Sequence, residues 1–261
     1  MATVRNPAVA GMFYPDDPET LRNEVIDFLR HAKHPTLTPK AIVAPHAGYI
    51  YSGPVAASVY AALPNEADRI HRVVMFGPAH RLAFRGIAYS DADYFRTPLG
   101  DIPVDKATLA EVAALPHVHP FEAAFEGEHC LEVQLPFLQL TLDDFRIVPF
   151  LVGDATADEV AEVMERLWDG DETLFVISSD LSHYLDYDSA RAIDSRTTQA
   201  IEALQPEAIS YDQACGRTPL TGLLKVAKHH GLKPVTLDLR NSGDTAGPRN
   251  QVVGYGAYAF A

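Results

Sequence analysis

The sequence predicts an α/β protein whose largely parallel sheet is covered by helices on both faces. Three observations lead there. Short runs rich in aliphatic and β-branched residues alternate with amphipathic stretches of about 10–15 residues, the pattern of βαβ units. Three of the short runs are almost continuously apolar, as strands buried on both faces are. No internal repeat, low-complexity tract or Gly/Ser-rich linker divides the 261 residues, so one domain spanning 1–261 is expected. That length is ample for a substantial core.

In chain order, the first helix is expected over 18–31, because Asp16 and Asp17 precede Pro18-Glu19, a capped start with proline in the first turn. The run Lys-Ala-Ile-Val-Ala predicts a strand at 40–44, which Pro45 ends by withholding a ladder donor. A tight loop then leads into a helix at 54–63. Strands follow at 71–76 and 85–90, then helices at 105–114 and 129–140. The second half reads as strand 145–151, helix 156–168, strand 173–178, helix 189–204, a short helix at 206–213 and a helix at 219–230. Thr218 is the candidate N-cap of that last helix, with Pro219 at its first position. Strands at 234–240 and 251–260 close the chain. Gly254 and Gly256 in the final strand are suited to a close backbone approach.

Composition narrows the function. The formal charge is −14, which disfavours nucleic-acid or anionic-membrane surfaces because phosphate binding needs a positive field. No stretch approaches the roughly 20 apolar residues that span a bilayer, and residues 1–7 lack the apolar core of a signal peptide. Two cysteines, Cys130 and Cys215, do not make a disulfide framework, so a cytoplasmic location is expected.

The chemistry concentrates at element ends. His46 follows an expected strand and Pro45, and His80 follows another strand and Gly77-Pro78. In an open α/β sheet the carboxyl ends of parallel strands share one crevice, where ligands bind. Two strand–Pro–His turns therefore point to a shared metal or acid–base site. His129 opens the helix expected at 129–140, with Glu128 as a first-turn acid. Glu132, three residues on, shares its helical face, either as a second ligand, as a carboxylate holding the ring, or as a plain surface ion pair. His183 follows Ser178-Ser179-Asp180-Leu181-Ser182, whose polar groups are placed to fix an imidazole tautomer for acid–base work, with Asp180 orienting His183 or another ring. Cys215 precedes a helix, a setting that lowers a thiol pKa and suits a Zn²⁺, Cu⁺ or iron ligand, although an isolated cysteine is as often a buried small hydrophobe. Cys130 and Leu131 are expected in the core. The histidines at 31, 34, 71, 117, 119, 229 and 230 receive no catalytic role; His229-His230 ends a helix, where a cation complements the dipole.

Several ordered segments together resemble the Memo family, the group designated AmmeMemoRadiSam system protein B in bacteria and archaea. They are Ala10-Gly11-Met12-Phe13-Tyr14-Pro15, Ala44-Pro45-His46-Ala47-Gly48-Tyr49, Gly77-Pro78-Ala79-His80, Arg96-Thr97-Pro98-Leu99, Glu128-His129, Ser178-Ser179-Asp180 with His183, and Cys215-Gly216-Arg217. The Memo family in turn resembles class III extradiol dioxygenases, non-haem Fe(II) enzymes that cleave catechol rings. The resemblance implies a mixed sheet flanked by helices with a cleft at one end. It implies His46, His80 and Cys215 as metal ligands, with His129, His183 and Asp180 as acid–base and positioning groups. It also implies AMMECR1-like and radical-SAM proteins as partners and, for the animal member, phosphotyrosine-peptide binding and copper-dependent redox activity. Where the dioxygenases complete their 2-His-1-carboxylate triad with a carboxylate, this chain has Cys215, a softer donor that favours metals such as copper and alters iron redox chemistry. Three readings follow. The first is an iron- or copper-dependent redox enzyme acting on a small organic substrate. The second is a non-enzymatic protein using the cleft to hold a peptide, a partner or the metal itself. The third is a metal-free hydrolase with Cys215 as nucleophile.

Overall fold

The computed structural model describes residues 2–261. Its strands are β1 (Val4–Arg5), β2 (Ala41–Ala44), β3 (Arg72–Pro78), β4 (Ile87–Tyr89), β5 (Tyr94–Thr97), β6 (Gly100–Pro103), β7 (Val118–Pro120), β8 (Arg146–Val152), β9 (Thr173–Ser178), β10 (His183–Leu185), β11 (Pro234–Asn241) and β12 (Val252–Phe260). The helices are α1 (Pro18–His31), α2 (Tyr49–Tyr60), α3 (Lys106–Val112), α4 (Leu135–Thr141), α5 (Ala157–Arg166), α6 (Tyr187–Glu202), α7 (Arg217–His230) and α8 (Ser242–Thr245).

Nine strands form one mixed sheet, in the order β10-β12-β2-β9-β3-β8-β4-β7, with β11 on the other edge of β12. Its centre, β2-β9-β3-β8, is parallel throughout, while β12 runs antiparallel to β2, β10 and β11. Every residue of β2 and β9 is buried, and β3 and β8 are buried beyond their first residue. That is why their sequences read as apolar runs without alternation. The helices fall into two groups. One comprises α1, α2 and α4, and the other α5 and α7 with α3 and α6, each packed on the sheet or on a helix that is. The expected α/β class, with helices on both faces, is met. The sheet is more mixed than periodicity alone indicated. A separate three-stranded sheet, β1-β5-β6, was not foreseen, because its strands are two to four residues long.

Helix starts show where local rules hold. Asp17 caps α1 by accepting from the Thr20 amide at 2.8 Å, as expected. The helix expected at 54–63 instead starts at Tyr49, with Pro54 inside it. The helix expected from 219 starts at Arg217 with Gly216 as N-cap, so Thr218-Pro219 lies in its first turn rather than at its boundary. In the stretch 129–140, a short 3-10 turn at Glu132–Gln134 precedes α4, and His129 lies in the turn before both.

Candidate metal centre

Parallel strands carry their carboxyl ends to one edge, and three of them deliver the site. β2 runs into Pro45-His46, β3 into Ala79-His80, and β9 into Ser179-Asp180. Cys215 arrives from the loop before α7. Gly216 makes that approach possible: a Cβ there would stand 2.6 Å from Ser179 Cβ and 2.7 Å from the Ser178 carbonyl oxygen. The Gly216 amide donates to Ser179 Oγ (2.9 Å), the Cys215 amide to the Asp180 carbonyl (3.3 Å), and the Asp180 amide to Cys215 Sγ (3.3 Å). As a result the donor atoms of His46, His80 and Cys215 all lie within 4.8 Å of one another.

Hydrogen bonding fixes which imidazole nitrogen faces this space. The Ser178 hydroxyl donates its single proton to the Cys130 carbonyl (2.6 Å) and accepts from Gln134 Nε2 (2.9 Å). His46 Nδ1, 2.8 Å from the same oxygen, must therefore be the donor. Its Nε2 is then a bare lone pair, 3.3 Å from Cys215 Sγ. His80 is held in the same way. Its Nδ1 lies 3.0 Å from Glu128 Oε1, and a carboxylate only accepts, so Nδ1 donates and Nε2 is the nitrogen left to face the site. Glu128 also accepts from the amides of His80 (2.6 Å), His129 (2.8 Å) and Cys130 (3.0 Å). These charge-assisted bonds hold its carboxyl far below the usual range despite burial.

The electrostatics favour a neutral His46 ring and an uncharged thiol. Burial, together with the neighbouring His80 and His129, holds His46 well below the ordinary histidine value. Burial and the adjacent Asp180 carboxyl push the Cys215 thiol up to about 12. This corrects the expectation that the helix start would activate Cys215. Helix α7 begins two residues later, and the Asp180 and Gly216 amides and the Ser179 hydroxyl around the sulfur do not offset desolvation. Asp180 is itself raised by burial, opposed by the His46 amide, which donates to its Oδ1 at 2.7 Å.

The remaining candidates are brought close, with altered roles. His129 stacks on His80 (centroids 4.9 Å, planes 18° apart), packs on Phe13 (4.7 Å) and stands edge-on to His46 (5.5 Å). Its buried Nδ1 has no hydrogen-bond partner, the nearest carboxylate oxygen of Glu128 lying at 3.4 Å. Glu132 does not serve His129. It accepts from the amides of Ala8 (2.7 Å) and Val9 (2.9 Å), from the Tyr14 hydroxyl (2.7 Å) and from Arg5 (3.1 Å), and so anchors the N-terminal segment. Asp180 holds the His46 backbone amide, and its other oxygen lies 3.9 Å from His46 Nε2. His183 sits on β10, which with β2 shares one edge of β12, so it lies just beyond the end of β2. It is near enough to His46 and Asp180 to influence both electrostatically, yet among the described residues no hydrogen bond fixes its tautomer. Cys130 is buried, as expected, with its sulfur 3.2 Å from the Pro78 carbonyl oxygen. Ser178 does fix an imidazole tautomer, but that of His46 rather than His183, and sequence reading missed Gln134, its partner in this; the polar Gln134 within an apolar helix start was the available signal.

Cys215 also forms part of the wall of a cleft of about 310 Å³, lined by Ala79, Leu82, Phe84, Tyr211 and Arg217 among others. The guanidinium of Arg217 lies 4.2 Å over the Tyr211 ring. A mainly apolar cleft carrying one cation, Arg217, and one carboxylate, Asp154, therefore borders Cys215.

A family model described as Memo-like protein matches residues 5–259. The chain belongs to the Memo family. Full-length relatives named MEMO1 family protein include one from Aquifex aeolicus, 38% identical over 97% of each chain. Another, from Aeropyrum pernix, is 37% identical over 97% of this chain and 98% of its own. A third, from Archaeoglobus fulgidus, is 37% identical over 98% and 99%. Among solved structures, the uncharacterized protein JW3007 from Escherichia coli K12 matches with a TM-score of 0.50 at 14% identity. It covers 82% of this chain and 98% of its own. That likeness concerns the fold alone. Among the described residues of this Memo-family chain, no helix is long and apolar enough to cross a membrane.

Proposed function

We propose that His46, His80 and Cys215 hold an iron or copper ion and that the chain is a metal-dependent oxidoreductase for a small organic substrate. The observation that carries this reading is the matched pair of tautomers. Both imidazoles are locked with Nδ1–H turned outward and Nε2 turned toward one sulfur, within 4.8 Å. The donor set fits such an ion: two imidazoles with a thiol that becomes thiolate on binding suit copper or iron, and only three protein ligands leave positions for substrate. When bound, the ion supplies one-electron chemistry and the positive charge that a buried thiolate requires.

The chain's own residues do the rest. Glu128 and Ser178 aim the rings. The His46 ring, kept neutral by burial, is ready to ligate without first losing a proton. His183, half-buried with an unfixed tautomer, is the group free to take up or release a proton beside the site. His129 offers a second, buried nitrogen with no partner. The apolar cleft beside Cys215 suits a small aromatic or aliphatic substrate whose anionic group meets Arg217.

The test is metal content of untagged protein purified anaerobically, followed by O₂ uptake across a panel of small aromatic substrates. Near one iron or copper per chain, lost in Cys215→Ala, together with substrate-dependent O₂ uptake lost in His183→Ala, is the expected result. Absence of metal in both proteins after reconstitution, with tight peptide binding that survives His183→Ala, would replace the enzyme with a binding protein.

A further inference from the structure

A second set of donors lies at the opposite end of the parallel strands. Glu165, in the last turn of α5, faces His229 and His230, the last two residues of α7. Its Oε1 is 2.8 Å from His229 Nδ1 and its Oε2 is 2.8 Å from His230 Nε2. Adjacent residues on a helix point about 100° apart, yet here both rings turn onto one carboxylate, with centroids 4.8 Å apart. The three donor atoms lie within 4.8 Å of one another. The His230 ring is held by stacking on Trp168 (4.5 Å, 20°), which in turn stacks on Phe175 of β9 (4.9 Å).

Two features distinguish this from a surface ion pair. The donors come from the carboxyl-terminal turns of two packed helices, where both macrodipoles present negative ends and favour a cation. One ring is also pre-positioned by an aromatic stack, so little rotamer freedom remains to be lost on binding. Trp168 precedes β9, so the cluster lies at the amino-terminal edge of the parallel strands. The candidate centre at their carboxyl ends is about 20 Å away, six residues at roughly 3.3 Å each.

We propose that Glu165, His229 and His230 form a second, peripheral site for a divalent transition metal of the zinc type, pinning the end of α5 to the end of α7. Two imidazoles and a carboxylate suit Zn²⁺, Ni²⁺ and Cu²⁺, with water completing the shell.

Trp168 is the only tryptophan in the chain and touches His230, so it reports on this site. Untagged protein is titrated with Ni²⁺, a quencher, while tryptophan emission is followed; Zn²⁺ is then added in excess. Expected are saturable quenching at one equivalent, recovery of emission with Zn²⁺, and unchanged behaviour in Cys215→Ala. Affinity should fall at least tenfold in Glu165→Gln and in His229→Ala, neither of which removes the stack on Trp168. Both positions are partly or largely exposed, and circular dichroism checks that the variants fold. Quenching that is equal in all three proteins, that vanishes in Cys215→Ala, or that never saturates would each overturn the proposal.

Discussion

At the scale of single residues, Glu128 joins the fold to the candidate centre. It is buried, and its two oxygens accept three backbone amides and the His80 ring. In Glu128→Gln an amide NH₂ group would face donors it cannot serve, and hydrogen bonds to a charged group contribute about 1.5–3 kcal/mol. We expect a loss of about 2–3 kcal/mol in chemical denaturation and a 10- to 100-fold loss of metal affinity as His80 loses its orientation. The pH dependence follows from the sign of the shift. The folded carboxyl titrates below its unfolded value near 4.3, so its contribution is complete above about pH 4.3 and is lost as pH falls toward the folded value. The stability gap between wild type and variant should therefore narrow between pH 5 and 3. A gap that stays constant over that range would rule out the charge as its source. His46 and His80 were legible in the sequence because strand ends followed by proline or glycine announce an outward turn, whereas Cys215 joined them only through the family resemblance. The role of Glu128 was not legible, because the amide and ring that complete its shell lie 48 residues earlier at His80. Nor was the burial that raises the Cys215 thiol, which depends on what covers the loop.

At the scale of elements, the position of Cys215 is decided by how closely the start of α7 seats against β9. Gly216→Ala would drive a methyl group into Ser179 Cβ and the Ser178 carbonyl. Backbone cannot move aside as a side chain can, so the start of α7 must lift. Gly222→Ala, farther along the same helix, would meet Val160 of α5 at 2.8 Å and cost a comparable overpacking penalty of about 1–3 kcal/mol. The pair separates stability from site geometry. Metal affinity should fall by tenfold or more in Gly216→Ala and stay within threefold of wild type in Gly222→Ala. Equal affinities in the two would show that the seating of α7 does not control the sulfur. Sequence reading placed the start of α7 two residues late because Thr218-Pro219 has the form of a capped start. The close packing that makes Gly216 the cap depends on β9 and leaves no local mark. The same holds for β10, three residues long, which exists only because β12 offers it an edge.

At the scale of the whole molecule, the order β12-β2-β9-β3 is what assembles the centre. It sets the ends of β2, β9 and β3 side by side, so that residues 46, 180 and 80 meet although more than 130 positions separate the first two. Apolar runs predicted the buried parallel core, but no periodicity encodes strand order, and neither the antiparallel β12 nor its partners could be placed from pattern alone. The consequence for stability is linkage. An ion held by residues 46, 80 and 215 binds only when three distant segments are folded together, so metal binding is coupled to global folding. At a free metal concentration 100 times Kd this amounts to about 2.7 kcal/mol, or a Tm rise of roughly 5–11 °C at 2–4 °C per kcal/mol. Differential scanning calorimetry of anaerobic protein with Fe²⁺ or Cu⁺, before and after chelation, measures it. Chelation should lower the Tm of wild type by that amount and leave Cys215→Ala within about 2 °C, less than the shift expected of 1 kcal/mol. A drop of the same size in Cys215→Ala would mean that the stabilising ion binds away from the sulfur and that residues 46, 80 and 215 do not form its site.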